Sequence, residues 1–412
     1  MSVDRRALEA KGYLVVPGFI DLHAHLREPG FEDSETVETG AKAALHGGFT
    51  TVCAMPNTEP AIDSPGLVAE LIARGRSAGG ARVLPIAAIT RGRKGRELAD
   101  LVELAAAGAV AFSDDGSPVE DPRLFRSALE YSRITGRPVI EHPQELALSA
   151  RGVMHEGAVS ARLGLPGMPA AAEEAAVARD IALAKMSGAR LHLTHLSTAG
   201  SIELVRRAKA EGAPITCDVT PHHLAMTDDW VAGSRAFAWE PSGASAPRPP
   251  GVPYDSSTKV NPPLRGHADV RALWAGLADG TVDAIATDHA PHASVRKEVE
   301  FDQAAFGISG LETALALVLG GVRVHWAALG SVIDALTIGP ARVLGIELDE
   351  NDWIAIDRDA EWLVTADDLV SKGKNTPVLG RTLMGRVVHV AVAGETKLDG
   401  RRVGNAEAVV RR

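Results

Sequence analysis

His23 and His25 stand one residue apart at the end of an apolar run, in the stretch Phe-Ile-Asp-Leu-His-Ala-His-Leu-Arg-Glu-Pro-Gly that begins at Phe19. On a strand, side chains two apart leave the same face, so both imidazoles converge on one point. That arrangement suits a divalent metal. Arg27 shares the register and is placed to hold a substrate carboxylate beside the ion. A lone His-X-His more often caps a strand, but here it has company: Asp114 and Asp115, His142, His195 and Asp288 each follow a β-rich run. Imidazole and carboxylate together suit zinc, with manganese or cobalt as substitutes. Zinc lowers the pKa of a bound water to about 7. The Asp288 carboxylate can then accept a proton and return it to a leaving nitrogen. Such a set suffices to open or close an amide in a ring.

The elements that must position these groups alternate. Strand candidates lie at 14–23, 50–55, 82–89, 110–113, 138–142, 190–195, 214–219 and 282–287. Helical stretches fall at 35–45, 66–77, 97–106, 122–133, 170–186, 199–211, 268–277 and 311–319. Eight strands, each followed by a helix, predict a (β/α)8 barrel, an architecture that gathers reactive groups at the C-terminal ends of its strands. The first, fourth, fifth, sixth and eighth strands would deliver the ligands. An open doubly wound sheet is disfavoured because no Gly-X-Gly-X-X-Gly turn follows the first strand. From about Ile346 the texture changes to short β-like runs at 362–365, 387–392 and 408–410. We therefore expect a barrel over 17–345 and a small β domain built from 1–16 and 346–412. Residues 233–255, rich in Pro, Gly, Ser and Ala, read as an exposed, flexible insertion.

The chain has 412 residues, 45% hydrophobic and 23% charged, with a net charge of −10. That balance argues against nucleic acid or a membrane surface as the main partner, leaving a small-molecule substrate. No apolar run approaches the roughly 20 residues needed to span a bilayer, and residues 1–10 are too charged for a signal peptide. Cys53 and Cys217 lie in apolar segments and read as buried free thiols, which suits a reducing cytoplasm.

Several motifs resemble one family in one order. The run from Asp21 to Gly30 is similar to the first signature of dihydroorotases, and Ala-Thr-Asp-His-Ala-Pro-His from Ala286 to the second. Between and after them stand Met-Pro-Asn-Thr from Met55, Ser-Asp-Asp-Gly from Ser113, Thr-Pro-His-His-Leu from Thr220, Lys-Val-Asn-Pro-Pro-Leu-Arg from Lys259 and Phe-Gly-Ile-Ser-Gly-Leu-Glu-Thr from Phe306. The resemblance runs from about Val16 to the end of the barrel and is closest to the longer, class I type within the metal-dependent amidohydrolase superfamily. It implies zinc, one or two ions per subunit, with His23, His25 and Asp288 on one, His142 and His195 on the other, and Asp115 between them. Many superfamily members use a carboxylated lysine at that position, but no lysine occurs in 110–119. Asp114 would support the turn. Arg27 and Asn57 would bind an α-carboxylate, and Asn261 and His292 would complete the contacts. His222 and His223 are expected to be structural or to support the ligands, His289 to point away from the metal, and the remaining histidines to be surface or core.

The implied reaction is the reversible cyclisation of N-carbamoyl-L-aspartate to L-dihydroorotate in pyrimidine biosynthesis, by metal-activated hydroxide with Asp288 as acid and base. Two alternatives are another cyclic amidohydrolase of hydantoinase or allantoinase type, and an inactive scaffold for aspartate transcarbamoylase. Arg27 speaks against the first, and the complete ligand set against the second. A homodimer and a complex with aspartate transcarbamoylase belong to the same implication. Family members carry more strands before the barrel than the short stretch 7–16 seen here, so the expectation is either a reduced β domain, with unpaired edges and lower stability than a version extended upstream, or a start assigned too late.

Overall fold

The computed structural model of the chain describes residues 5–240 and 251–400. Eight parallel strands form the central sheet, in chain order Phe19–Ala24, Phe49–Ala54, Arg82–Ala87, Ala111–Phe112, Val139–Glu141, Leu191–Leu193, Ile215–Val219 and Ala284–Ile285. The first and eighth meet through an Ala24–His289 bridge and a hydrogen bond from the His25 amide to the His289 carbonyl at 2.8 Å, closing the barrel. This is the (β/α)8 barrel that the alternating pattern predicts. Inside it, Ile20, Leu22, Cys53, Ile86, Ala111, Ile140 and Ala284 form one apolar cluster, sealed by Ala341, Val343 and Leu344. Outside, the strands pack their other face against the helices, burying residues such as Phe49, Val52, Phe112, Leu129 and Trp274.

The helices fall where the sequence places them because their ends carry stop signals. Val37–His46 starts at Thr36, whose hydroxyl accepts from the Thr39 amide in a capping box. Pro122–Thr135 has proline in its first turn, Asp121 as cap, and Gly136 at φ +69° beyond its end. Two further helices, Leu329–Leu336 and Ile338–Leu344, follow the barrel's last long helix, Ala314–Arg323.

Three expectations need correction. The run at 14–23 is not one strand. Leu14–Pro17 pairs antiparallel with Trp353–Leu363 in a separate four-stranded sheet, and only Phe19–Ala24 enters the barrel. Gly18 is the joint, where a Cβ would come within 2.3 Å of the Thr50 side chain. Two other strands of that sheet, Trp353–Leu363 and Thr382–Val392, are longer than the runs read at 362–365 and 387–392, because bulges interrupt their alternation, and its last strand, Glu395–Asp399, was not among the expected runs. The expected run at 408–410 lies outside the described residues. Finally, the 233–255 stretch is exposed at 251–254, as expected, but its N-terminal part, 233–240, is packed. Arg235 pairs with Asp255 at 2.6 Å, Phe237 joins Trp230 in a buried cluster, and Arg381 lies over the Phe237 ring. Composition hid the aromatic anchors Phe237 and Trp239 among small residues.

Candidate metal and substrate site

Each barrel strand that ends in a candidate ligand delivers it to one place. His23 and His25 present their Nε2 atoms 3.3 Å apart. Asp288 Oδ1 lies 3.2 Å from His25 Nε2 and 3.5 Å from His23 Nε2. Asp115 stands between two groups. Its Oδ2 is 3.5 Å from His23 Nε2 and 3.6 Å from His25 Nε2, while its Oδ1 is 3.4 Å from His142 Nδ1 and 3.5 Å from His195 Nε2. His142 Nδ1 and His195 Nε2 are themselves 3.0 Å apart. The ligand atoms of His23, His25 and Asp288 all fall within 4.8 Å of one another, and so do those of His23, Asp115 and His195. All six residues are buried.

Three of the four imidazoles have their tautomer set from behind. His23 Nδ1–H donates to Thr194 Oγ1 at 2.9 Å, and that hydroxyl donates to Asp218 Oδ2 at 3.0 Å. His25 Nδ1–H donates to Asn57 Oδ1 at 2.8 Å, and His142 Nε2–H to Gln144 Oε1 at 2.7 Å. Each leaves a bare lone pair aimed at Asp115 and its neighbours, as metal-binding imidazoles require. Asp218 also accepts from the His195 amide at 2.6 Å and pairs with His192 at 2.7 Å. Asp115 Oδ1 and His195 Nδ1 are buried with no hydrogen-bond partner among the described residues.

The electrostatics call for a cation. Burial pulls His23 down, but the Asp115 and Asp288 carboxylates outweigh it and raise its pKa to about 9. Burial likewise pushes Asp115 and Asp288 up, yet the surrounding histidines hold both below the ordinary carboxylate range. Buried lone pairs facing one another at such distances need positive charge between them. The donor set therefore fits a divalent metal. Asp114 does not join it; its carboxylate accepts from the Ile89 and Thr90 amides and the Thr90 hydroxyl, holding the turn.

Around the buried ligands lies a rim of half-buried side chains: Arg27, Asn57, Gln144, Asn261 and His292. Strand register does not place Arg27, as the sequence reading assumed. The strand ends at Ala24, and Arg27 adopts φ +62° in the left-handed region. His195 and Asp288 share that backbone conformation, at φ +43° and +45°, the kind of strain that clusters at functional sites. Arg27 Nε donates to the Pro291 carbonyl at 3.1 Å. Its Nη2 lies 3.3 Å from His292 Nε2, but that nitrogen donates its own proton to the Phe306 carbonyl at 2.8 Å. Among the described residues the Nη1–Nη2 edge is thus left without an acceptor. Burial lowers the Arg27 pKa to about 10, and the same burial, aided by Arg27, lowers His292 to about 3. Asn261 Nδ2 donates to Gln144 Oε1 at 2.9 Å.

Two of the histidines set aside in the sequence make supporting contacts. His289 turns away to lie 3.3 Å from Glu35. His223, on the short helix Pro221–Ala225, lies against Thr220 Oγ1 and donates to the Pro262 carbonyl. Sequence reasoning missed Gln144, Thr194, Asp218 and Asn375, the last holding the His292 amide at 2.8 Å. The signal for Asp218 was available, since it lies one residue from the end of the seventh barrel strand.

Comparison with known proteins agrees with this geometry. A family model described as Dihydro-orotase-like matches residues 12–201. A dihydroorotase of Anaeromyxobacter sp. (strain K) is 51% identical over 397 residues, covering 95% of this chain and 88% of the relative. A dihydroorotase of Pelotomaculum thermopropionicum is 48% identical over 405 residues, covering 96% and 89%. Among solved structures, an L-hydantoinase from Arthrobacter aurescens superposes with TM-score 0.79 at 23% identity, covering 95% of this chain and 86% of that one, a likeness of fold. With about half of all residues shared along nearly the whole length, the chain belongs to the dihydroorotase family.

Proposed function

We propose that this protein is a dihydroorotase, interconverting N-carbamoyl-L-aspartate and L-dihydroorotate. The observation that carries the reading is Arg27: a guanidinium beside the ligand cluster, with one edge unpaired among the described residues. An α-carboxylate fits that edge with two parallel hydrogen bonds, whereas a hydantoin ring has no group that needs it. Asn57, whose oxygen is taken by His25, keeps its amide hydrogens for the same carboxylate. His292, beside Arg27, and Asn261, beside Gln144, would complete the contacts to carboxylate and ring.

His23, His25 and Asp288 would hold one zinc, His142 and His195 a second, with Asp115 bridging; one or two ions per subunit satisfy this set. A bound zinc supplies an activated water and polarises the ring carbonyl. Asp288, held ionised by the neighbouring histidines, accepts the proton in the hydrolytic direction and delivers it to the ring nitrogen. His292, neutral at working pH, is fixed by its Nε2–H on the Phe306 carbonyl and adds no charge beside Arg27. The structural units that we assign are a barrel over 17–345 and a β domain from 1–16 and 346–412; the four-stranded sheet and its own cluster around Leu8, Trp353 and Ala355 support that division. No helix among the described residues is long and apolar enough to cross a membrane. Cys53 and Cys217 are buried free thiols, which supports assignment to the cytoplasm. We extend the reading to a homodimer able to associate with aspartate transcarbamoylase, on the chemical ground that such a partner makes the carbamoyl-aspartate consumed here.

The test is hydrolysis of dihydroorotate, hydantoin and allantoin, each with and without chelator. Chelator-sensitive turnover of dihydroorotate far above the others is expected. Preference for hydantoin or allantoin would overturn the substrate, and a protein that neither binds metal nor opens any ring would be the scaffold.

A further inference from the structure

Gln144 sits where the two halves of the site meet. Its single oxygen Oε1 accepts from His142 Nε2–H at 2.7 Å and from Asn261 Nδ2 at 2.9 Å. His142 Nδ1, on the other side of the same ring, faces Asp115 Oδ1 at 3.4 Å and His195 Nε2 at 3.0 Å. One neutral amide thus holds both a ligand of the second metal position and a side chain of the substrate rim. The first metal position achieves the same link in one step, since Asn57 Oδ1 accepts directly from His25 Nδ1–H at 2.8 Å.

We propose that Gln144 is a positioning residue that couples occupancy of the second metal position to substrate binding through Asn261. The inference rests on the dihydroorotase reading for its substrate arm only. Its logic is geometric. Asn261 has one amide hydrogen on Gln144, so a ligand that orders Asn261 also orders Gln144 Oε1. An ordered Oε1 keeps the proton on His142 Nε2 and the lone pair on Nδ1, where a metal needs it. By reciprocity a metal on His142 Nδ1 makes Nε2–H the stronger donor, tightening Gln144 and presenting Asn261. A carboxylate at 144 would accept the same two bonds, but it would add charge beside Asp115. The amide does the work at zero charge.

The experiment measures zinc retention against a competing chelator for the wild type, Gln144→Leu, Gln144→Ala and Gln144→Glu, each with and without saturating dihydroorotate, and KM for dihydroorotate in parallel. Outer partners of metal-bound histidines typically govern affinity by about 10- to 100-fold. Gln144→Leu and Gln144→Ala should therefore lose one zinc at about 10- to 100-fold lower chelator, with KM raised, while Gln144→Glu retains it. Dihydroorotate should strengthen zinc retention in the wild type by about fivefold or more, within the usual range of coupling between sites, and should not do so in Gln144→Leu. Wild-type zinc retention in both truncations overturns the proposal. So does a substrate effect on zinc that survives Gln144→Leu. If the wild type neither binds nor turns over dihydroorotate, the substrate reading fails. The zinc comparison between wild type and truncations then still decides the role of Gln144.

Discussion

Replacing Arg27 by methionine separates recognition from chemistry. The guanidinium spends its Nε on the Pro291 carbonyl and offers an unpaired Nη1–Nη2 edge to the site. Two hydrogen bonds to a carboxylate, at about 1.5–3 kcal/mol each for a charged partner, total about 3–6 kcal/mol. At about 1.36 kcal/mol per factor of ten, kcat/KM for dihydroorotate should fall by about 10²- to 10⁴-fold. Stability should move the other way or not at all. Arg27 forms no ion pair with a described carboxylate, and burial already lowers its pKa to about 10, so methionine removes a charge that folding had to desolvate. The assay is steady-state hydrolysis of dihydroorotate beside dihydrouracil, the same ring without the carboxylate, with a melting curve on each protein. A large loss on dihydroorotate, little change on dihydrouracil and an equal or higher melting temperature are expected. An equal loss on both substrates with an intact fold would show that Arg27 serves the reaction centre, and the recognition argument would be refuted.

Asp288→Asn keeps the shape but not the base, and should lower kcat by about 10²- to 10⁴-fold while far-ultraviolet circular dichroism stays unchanged; near-wild-type turnover would remove Asp288 from proton transfer. Gly307 adopts φ +138°, and a Cβ there would come within 2.6 Å of Ala290 Cβ and 3.1 Å of His292 Nε2, so Gly307→Ala should displace His292 and reduce kcat/KM by roughly tenfold; an unaltered value would mean that His292 does not need its position. Burial lowers the His223 pKa from 6.5 to about 4, so below pH 6.5 the unfolded chain binds a proton that the folded one refuses. Stability on this account rises with pH and is lost as pH falls. Between pH 7 and pH 5 the wild type should lose about 2 kcal/mol more than His223→Gln, read from urea unfolding at both pH values; parallel losses would contradict it.

The order of barrel strands and the residues at their ends were legible because both depend on local pattern. A short apolar run ending in His or Asp, followed by a capped helix, means the same thing at Ile140 as at Leu193. The conformation at Arg27 was not legible, since a left-handed residue after a strand leaves no trace in hydropathy. The split at Gly18 was hidden for a similar reason: 14–23 reads as one apolar run, and only packing against Thr50 and pairing with Trp353–Leu363 divide it between two sheets. The packed stretch around Phe237 was hidden by its composition, because two aromatic anchors weigh little against many small residues.

Sequence alone determined which side chains could bind a metal and that a barrel would carry them, because residue chemistry and strand–helix alternation are written one neighbour at a time. Which nitrogen of each imidazole faces the centre, that Asp115 lies between two ligand groups, and that Gln144 joins His142 to Asn261 were decided only in the folded chain. Those relations are contacts between residues up to hundreds of positions apart, such as the 263 that separate His25 from Asp288. Hydrogen bonds and burial select them only once barrel closure has brought the strand ends together.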